Sequence, residues 1–381
     1  MIHLHEPLLD KHDLKSLINC YNSRWISTGG NKVKDFEKLI CKITGAKYAI
    51  ATNNCTAALQ ISLMMSGVKP GDEVIVPAIS FIATINSVIY NFGSPVFMDV
   101  DDYYNLDIDK TIKFLKENTF KKKGNSYNKK TKKIIRAVVV AHIFGNPANV
   151  YKLKNICKKL NIKIIEDAAE SLGSYYFINK KKIHTGTESD FGCISFNGNK
   201  VITSGGGGII LVKSYQMEKK IRYVINQSKD DAMYFKHHNL GFNMSMTNLH
   251  AAIGLSQLKK LEKILKIKKK INLFYSKNIN KIRGLKILST PKKTETNFWL
   301  NILEVNSKIY GKNKTKLIQK FLKNKINVRS VWYPNHKQKF LKKYQSYNIS
   351  NALKKYETSI CLPSGPGLTK TDLKKVTSIL K

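Results

Sequence analysis

Arginine is scarce in this 381-residue chain, with only five among 66 basic residues: Arg24, Arg136, Arg222, Arg283 and Arg329. Acidic residues are few as well, 26 in all, which leaves a formal net charge of +40. Such a charge invites a nucleic-acid partner, because neutralised phosphates supply most of that affinity. Bidentate reading of bases and phosphates, however, favours arginine over lysine. The lysines are spread along the whole chain among abundant Asn and Ile, the pattern of a compositional bias on every solvated face. No nucleic-acid partner is expected. No apolar run approaches the roughly 20 residues that cross a bilayer, and the opening MIHLHEPLLDKHDLK lacks the zones of a secretory leader. The expectation is a cytoplasmic protein without a membrane partner. The six cysteines (Cys20, Cys41, Cys55, Cys157, Cys193, Cys361) show no C-x-x-C pair and no zinc-like spacing, so neither a disulfide nor a metal is expected.

What is present is the material of a folded core. Hydrophobic residues make up 42% of the chain, and the mean hydropathy of −0.29 is far from that of a disordered sequence. Short β-branched runs alternate with helical patterns through the first two thirds. The runs are Tyr48 to Ala51, Glu73 to Pro77, Pro95 to Asp99, Ile134 to His142, Ile162 to Asp167, Phe191 to Phe196 and Gly207 to Val212. Continuous apolar strands separated by crossover-length helices imply an α/β fold with a mostly parallel seven-stranded sheet covered on both faces. The basic stretch from Lys116 to Lys133 reads as a surface loop. From Met246 a long helical pattern continues without an interior breaker beyond Gly254 and leads to a smaller C-terminal α+β domain. The expected division is 1–255 for the N-terminal segment and large domain, and 256–381 for the small one.

Ligands of an open parallel sheet bind beyond its C-terminal strand ends, so the residues after each strand carry the chemistry. After the first run, TNNCTAALQ opens straight into a helix, where the N–H groups of Thr56 and Ala57 are placed to hold a phosphate; Thr56 reads equally well as a simple cap. After the fifth come Glu166 and Asp167, and a buried acid needs a cationic partner. After the sixth, Lys200 precedes the four glycines Gly205 to Gly208, a run that matches no strict phosphate-loop spacing. An amine, an acid and a phosphate-competent helix start are together what a pyridoxal phosphate site requires.

The segments GVKPGDEVIVPAISFIATINSVIYNFGSPVFMDVD, IIEDAAESLGS and SFNGNKVITSGGGG resemble the DegT/DnrJ/EryC1/StrS family of sugar-nucleotide aminotransferases, which have the pyridoxal-phosphate-dependent transferase fold of type I. The resemblance extends from WISTGG at Trp25 through LGFNMSMTNLHAAIGLSQL to CLPSGPGL. It implies that Lys200 is the Schiff-base lysine, that Asp167 pairs with the pyridinium nitrogen and that Phe81 stacks on the ring. It further implies that Thr56, Ala57 and Ser195 hold the phosphate, and that Asn243 reaches the phosphate from a partner subunit, so that the site is completed in a homodimer. Three positions depart from the commoner pattern: Cys55 stands where Gly is frequent, Glu170 replaces Gln or His near the cofactor's ring oxygen, and Ser245 stands where many members carry Arg. Family members with histidine in place of the lysine act as dehydratases, and Lys200 argues against that route.

The long basic insertion and the phrases EDAAESLGS and SFNGNK are most similar to the branch that aminates C4 of UDP-4-keto-6-deoxy-N-acetylglucosamine, with glutamate as donor, on routes to bacillosamine or legionaminic acid. The alternative within the class is a GDP-perosamine or dTDP-sugar aminotransferase. In another class stands a non-catalytic regulator or nucleic-acid binder built on the same fold. For the nucleotide's diphosphate, Arg329 and His336 are the candidates, each reading equally well as an ordinary surface-strand residue.

Overall fold

The strands form where the sequence is continuously apolar: β1 (Tyr48–Thr52), β2 (Glu73–Pro77), β3 (Ser94–Met98), β4 (Ile135–Ala141), β5 (Lys163–Asp167), β6 (Phe191–Ser195) and β7 (Gly208–Val212) coincide with the seven runs. β2, β6 and β7 are buried at every position, as strands covered on both faces must be. In the computed structural model, which describes residues 1–381, they lie side by side in the order β1-β7-β6-β5-β4-β2-β3. The pairs from β6 to β3 are parallel. β7 alone is reversed, antiparallel to both neighbours.

Downstream lie β8 (Leu285–Ile287), β9 (Asn301–Val305), β10 (Arg329–Ser330), β11 (Ser346–Tyr347) and β12 (Ser359–Leu362). Four of them form an antiparallel sheet in the order β8-β9-β12-β10, over a core that includes Ile2, Ile271, Tyr275, Phe321 and Leu362. β11 instead pairs in parallel with β3, Ser346 opposite Phe97. The large sheet therefore has eight strands, one more than expected, because a two-residue strand leaves no periodic trace in a sequence.

Five helices matter for the site: α1 (Cys55–Met65), α2 (Ile82–Tyr90), α3 (Asn248–Leu258), α4 (Leu261–Ile279) and α5 (Asn351–Thr358). The expected domain boundary at 255 falls inside α3. The long helical pattern after Met246 is two helices, broken where Lys260 turns its amine to Asp10 (3.1 Å) and Asp13. The basic stretch is not a loop throughout: Thr119–Lys122 and Asn125–Asn128 form a hairpin. Lys123 and Gly124 at its tip both have positive φ, the geometry of a tight two-residue turn. Asp99, just past β3, caps α5 by accepting from the backbone N–H groups of Ser350, Asn351 and Ala352 at 2.8–3.1 Å.

Register brings the chemistry to one edge. Ala141, Asp167 and Cys193 lie opposite one another across β4, β5 and β6, so these strands end together. Because β7 is reversed, its first residue, Gly208, sits between Thr52 and Ser195 at the ends of β1 and β6. A Cβ on Gly208 would lie 2.6 Å from Asn54 backbone atoms, and one on Gly207 (φ +131°) would lie 2.4 Å from Met246 Cε. Gly208 is thus required by close approach to the start of α1, and Gly207 by its positive φ.

Candidate active site

Over this edge lies a cavity of about 500 Å³, walled above by Trp299, Leu300, Arg329 and Trp332 from the second sheet and its flanks. Thr56, Phe81, Asp167, Glu170, Ser195, Lys200 and Arg329 all line it. Residues far apart in sequence thus converge on one space.

Asp167 ends β5 and is 7% exposed. Its Oδ2 accepts from Thr84 Oγ1 at 2.7 Å and its Oδ1 from the Ala169 N–H at 3.2 Å. The carboxylate is oriented yet has lone pairs to spare. Thr84 escaped the sequence reading, although it lies one turn beyond Phe81 at the start of α2, on the same helix face. Phe81 itself is 55% exposed, an aromatic surface offered to the cavity.

Lys200 follows β6 through a turn closed by its N–H on Asn197 O at 3.0 Å. Its side chain is 12% exposed, with Nζ 4.0 Å from Glu170 Oε1 and 4.1 Å from the Trp299 ring centroid. Glu170 is buried, its Oε2 accepting from the Phe144 N–H at 2.7 Å. Burial pushes the Glu170 carboxyl up to about 7, against the opposing pull of Lys200. The acid that replaces Gln or His thus titrates close to neutrality. Amino transfer is expected to show an inflection near pH 7 that Glu170→Gln removes, measured as kcat against pH for the two proteins. An unchanged profile in the variant would show that the carboxyl takes no part.

The start of α1 is closed by its own cap, the Asn54 Oδ1 accepting from the Ala57 N–H at 2.8 Å. Ala57 is buried behind the cavity wall, so its amide meets an outside anion only if Asn54 moves. Thr56 and Ser195 reach the cavity directly. Besides Ala57, two candidates do not line it. His336 lies away from the lining, beside Phe97 at 6.3 Å between ring centroids, and burial pushes its imidazole down to about 4; sequence pattern alone gave no sign of that packing. Asn243 is exposed on the flank, bridged to Asn226.

Glu166, the neighbour of Asp167, points away from the chemistry. It is fully buried and accepts from His142 Nε2 (3.0 Å), Tyr176 Oη, the N–H groups of Gly186, Glu188 and Ser189 (each 2.9 Å) and Ser189 Oγ. Burial alone would raise its carboxyl, but these bonds, led by His142, outweigh it and hold the group at about 2. His142 lines the cavity, but its ring is committed, since Nδ1 accepts from the Ala148 N–H at 3.0 Å.

The donor set fits pyridoxal 5'-phosphate. A buried acid with free lone pairs suits a ring nitrogen, a half-exposed aromatic suits a flat ring, hydroxyls beside a helix start suit a phosphate, and an amine without a hydrogen-bond partner suits an aldehyde. A model of the DegT/DnrJ/EryC1/StrS aminotransferase family matches residues 7–381. The chain belongs to this family. GDP-perosamine synthase of Vibrio cholerae is 30% identical over 383 residues, covering 100% of this chain and 98% of its own. UDP-4-amino-4,6-dideoxy-N-acetyl-beta-L-altrosamine transaminase of Campylobacter jejuni is 29% identical, over 72% of this chain and 68% of its own. Among solved structures, the aminotransferase TlmJ of Streptoalloteichus hindustanus aligns at a TM-score of 0.88 and 21% identity, covering 100% of this chain and 98% of that one. The last likeness confirms the fold. As a member of the DegT/DnrJ/EryC1/StrS family the protein is a sugar aminotransferase, and its cofactor is pyridoxal 5'-phosphate. No helix is long and apolar enough to cross a membrane.

Proposed function

We propose that the protein moves an amino group from glutamate to C4 of a UDP-2-acetamido-2,6-dideoxy-4-keto-hexose, in the cytoplasm, for a surface glycan of the bacillosamine or legionaminic acid type. The observation that carries amino transfer is the placement of Lys200: an amine largely withdrawn from water, free of hydrogen bonds, in one cavity with Asp167. That grouping supports an enzyme over a non-catalytic regulator or nucleic-acid binder. The Campylobacter relative supports a UDP-sugar. A GDP-sugar is the second reading, supported by the Vibrio cholerae relative at slightly higher identity and fuller coverage.

Bound in the cavity, pyridoxal phosphate supplies a carbonyl that takes up an amine and a ring that draws electrons from the adjoining carbon. Asp167, oriented by Thr84 and the Ala169 N–H, offers the acceptor that keeps a proton on the ring nitrogen. Lys200 Nζ would take up the proton released from the α-carbon of glutamate and would deliver one to C4 of the keto-sugar. Thr56 and Ser195 hold the phosphate, and Arg329, exposed at the rim, offers its guanidinium to the nucleotide diphosphate.

The test is a panel of keto-sugar nucleotides incubated with the protein and glutamate, with product mass and proton couplings read out. Amination of the UDP-linked 4-keto sugar in preference to GDP- and dTDP-linked ones is the expected result; preference for a GDP-sugar would move the assignment to the second reading. We also propose a homodimer in which Asn243 completes the partner's site, supported by exposed Met233, Tyr234, Phe235 and Leu240 near it in sequence. Light scattering is expected to give twice the 43.3 kDa chain mass, and a monomer that still turns over would overturn it.

A further inference from the structure

Trp299, on the lead-in to β9, presents its indole face 4.1 Å from Lys200 Nζ. The residue is 3% exposed and tied at three points. Its Nε1–H donates to Asn199 O at 2.7 Å, its backbone N–H to Asn297 Oδ1 at 2.9 Å, and its carbonyl accepts from Lys268 Nζ at 3.1 Å. The first of these closes on the residue next to Lys200. Lys268, on α4, is fully buried. Its amine also donates to the Ser364 carbonyl at 2.7 Å and meets His5 Nε2 at 3.1 Å.

Burial pulls the Lys268 amine down to about 7, and a buried amine, charged or neutral, keeps its place only when its polar bonds are made; here it meets three acceptors, the Trp299 and Ser364 carbonyls and His5 Nε2. Those acceptors belong to three separate stretches: the N-terminal segment, the entrance of β9 and the exit of β12. Leu4, beside His5, lines the cavity, and its carbonyl accepts from the Ser364 N–H at 2.7 Å. One amine outside the cavity therefore gathers both a piece of its wall and the residue that supports the reactive lysine.

We infer that Lys268 and Trp299 are positioning residues for Lys200: Lys268 locks the Trp299 backbone, and the indole face holds the Lys200 amine at its place in the cavity. The inference rests on the transaminase reading. A cation over an indole face is attracted to the ring, more strongly where water is excluded. A lysine stem otherwise samples many rotamers and gives up that freedom each time its amine is engaged; pre-placement removes that loss. Glu170, at 4.0 Å, is the acid that forms an ion pair with the same amine, so the ring and the carboxyl bracket it.

The test uses the full chain with pyridoxal phosphate as probe. Trp299→Leu removes the π face, Trp299→Phe keeps a face without the N–H, and Lys268→Met keeps the stem without donors. Trp299→Leu and Lys268→Met are each expected to raise the cofactor's Kd about tenfold, to move its visible absorption maximum, and to lower kcat while the KM for glutamate stays put. Trp299→Phe is expected to recover most of the loss. Combining Lys268→Met with Trp299→Leu is expected to be no worse than the worse single change, since both act along one route. Wild-type Kd, absorption and kcat in Trp299→Leu would overturn the inference, as would losses that add in the double variant. Should circular dichroism show that Lys268→Met does not fold, the Trp299→Leu and Trp299→Phe pair decides. A wild-type protein that takes up no pyridoxal phosphate would sink the transaminase reading itself; one that takes it up while the variants match it sinks only this inference.

Discussion

Lys200→Ala is expected to lower amino transfer by at least about a thousandfold, the combined loss of a positioned proton carrier and a covalent anchor, with the circular dichroism spectrum unchanged. No neighbour can take over. Glu170 presents its Oε1 4.0 Å from the Lys200 amine, but a carboxyl forms no imine and cannot replace the covalent anchor. Asp167 is turned toward Thr84, and His142 has both ring nitrogens engaged. Lys200→Arg is expected to fail equally, since a guanidinium stays protonated and cannot accept the proton. Stopped-flow absorption of the loaded protein mixed with glutamate reads the first half-reaction directly. Activity within tenfold of wild type in Lys200→Ala would remove the enzyme assignment.

Glu166→Ala is expected to have the largest effect on stability, about 3–5 kcal/mol, the usual cost of deleting one partner of a buried charged network. The carboxylate gathers the 186–189 turn onto the end of β5 through backbone donors from Gly186, Glu188 and Ser189, and with Tyr176 it fixes His142 at the cavity wall. Removing it strands those N–H groups in a dry interior. The same group carries a pH signature. Its carboxyl lies at about 2 when folded against 4.5 for an ordinary glutamate, so the unfolded chain binds the extra proton. Its stabilising contribution is complete above about pH 4.5 and drains away as pH falls toward about 2. Urea midpoints measured between pH 5 and 2.5 are expected to fall more steeply for wild type than for Glu166→Ala; parallel slopes would show that the carboxylate is not the group responsible.

Much of the fold and part of the site were legible in the sequence, and the boundary between the two has a physical basis. The seven strands were readable because a strand buried on both faces is apolar at nearly every position, and no other element of that length looks the same. That Asp167 and Lys200 would meet in one cavity was readable because strand ends in such a sheet mark where ligands bind; Ser195, and the roles of all three, came from the family resemblance alone. β11 was not, since two residues carry no period. Trp299 was hidden because a tryptophan before a strand looks like core until the partner across the cavity is known. His336 misled for the reverse reason: its basic ring promised a phosphate contact, while its packing beside Phe97 depends on a chain crossing that local pattern does not encode. Ala57 shows the limit of a helix-start argument, because the Asn54 side chain three residues earlier already takes the amide.

The pairing of Ser346–Tyr347 with β3 bears on how the molecule must be made. The strand that shields this flank of the large sheet leaves the ribosome long after β3 itself, and Asp99 waits on α5 from the same later stretch. Until then β3 offers a row of open backbone groups to any neighbouring nascent chain. Truncation upstream of residue 346 should therefore yield inclusion bodies rather than a smaller working protein.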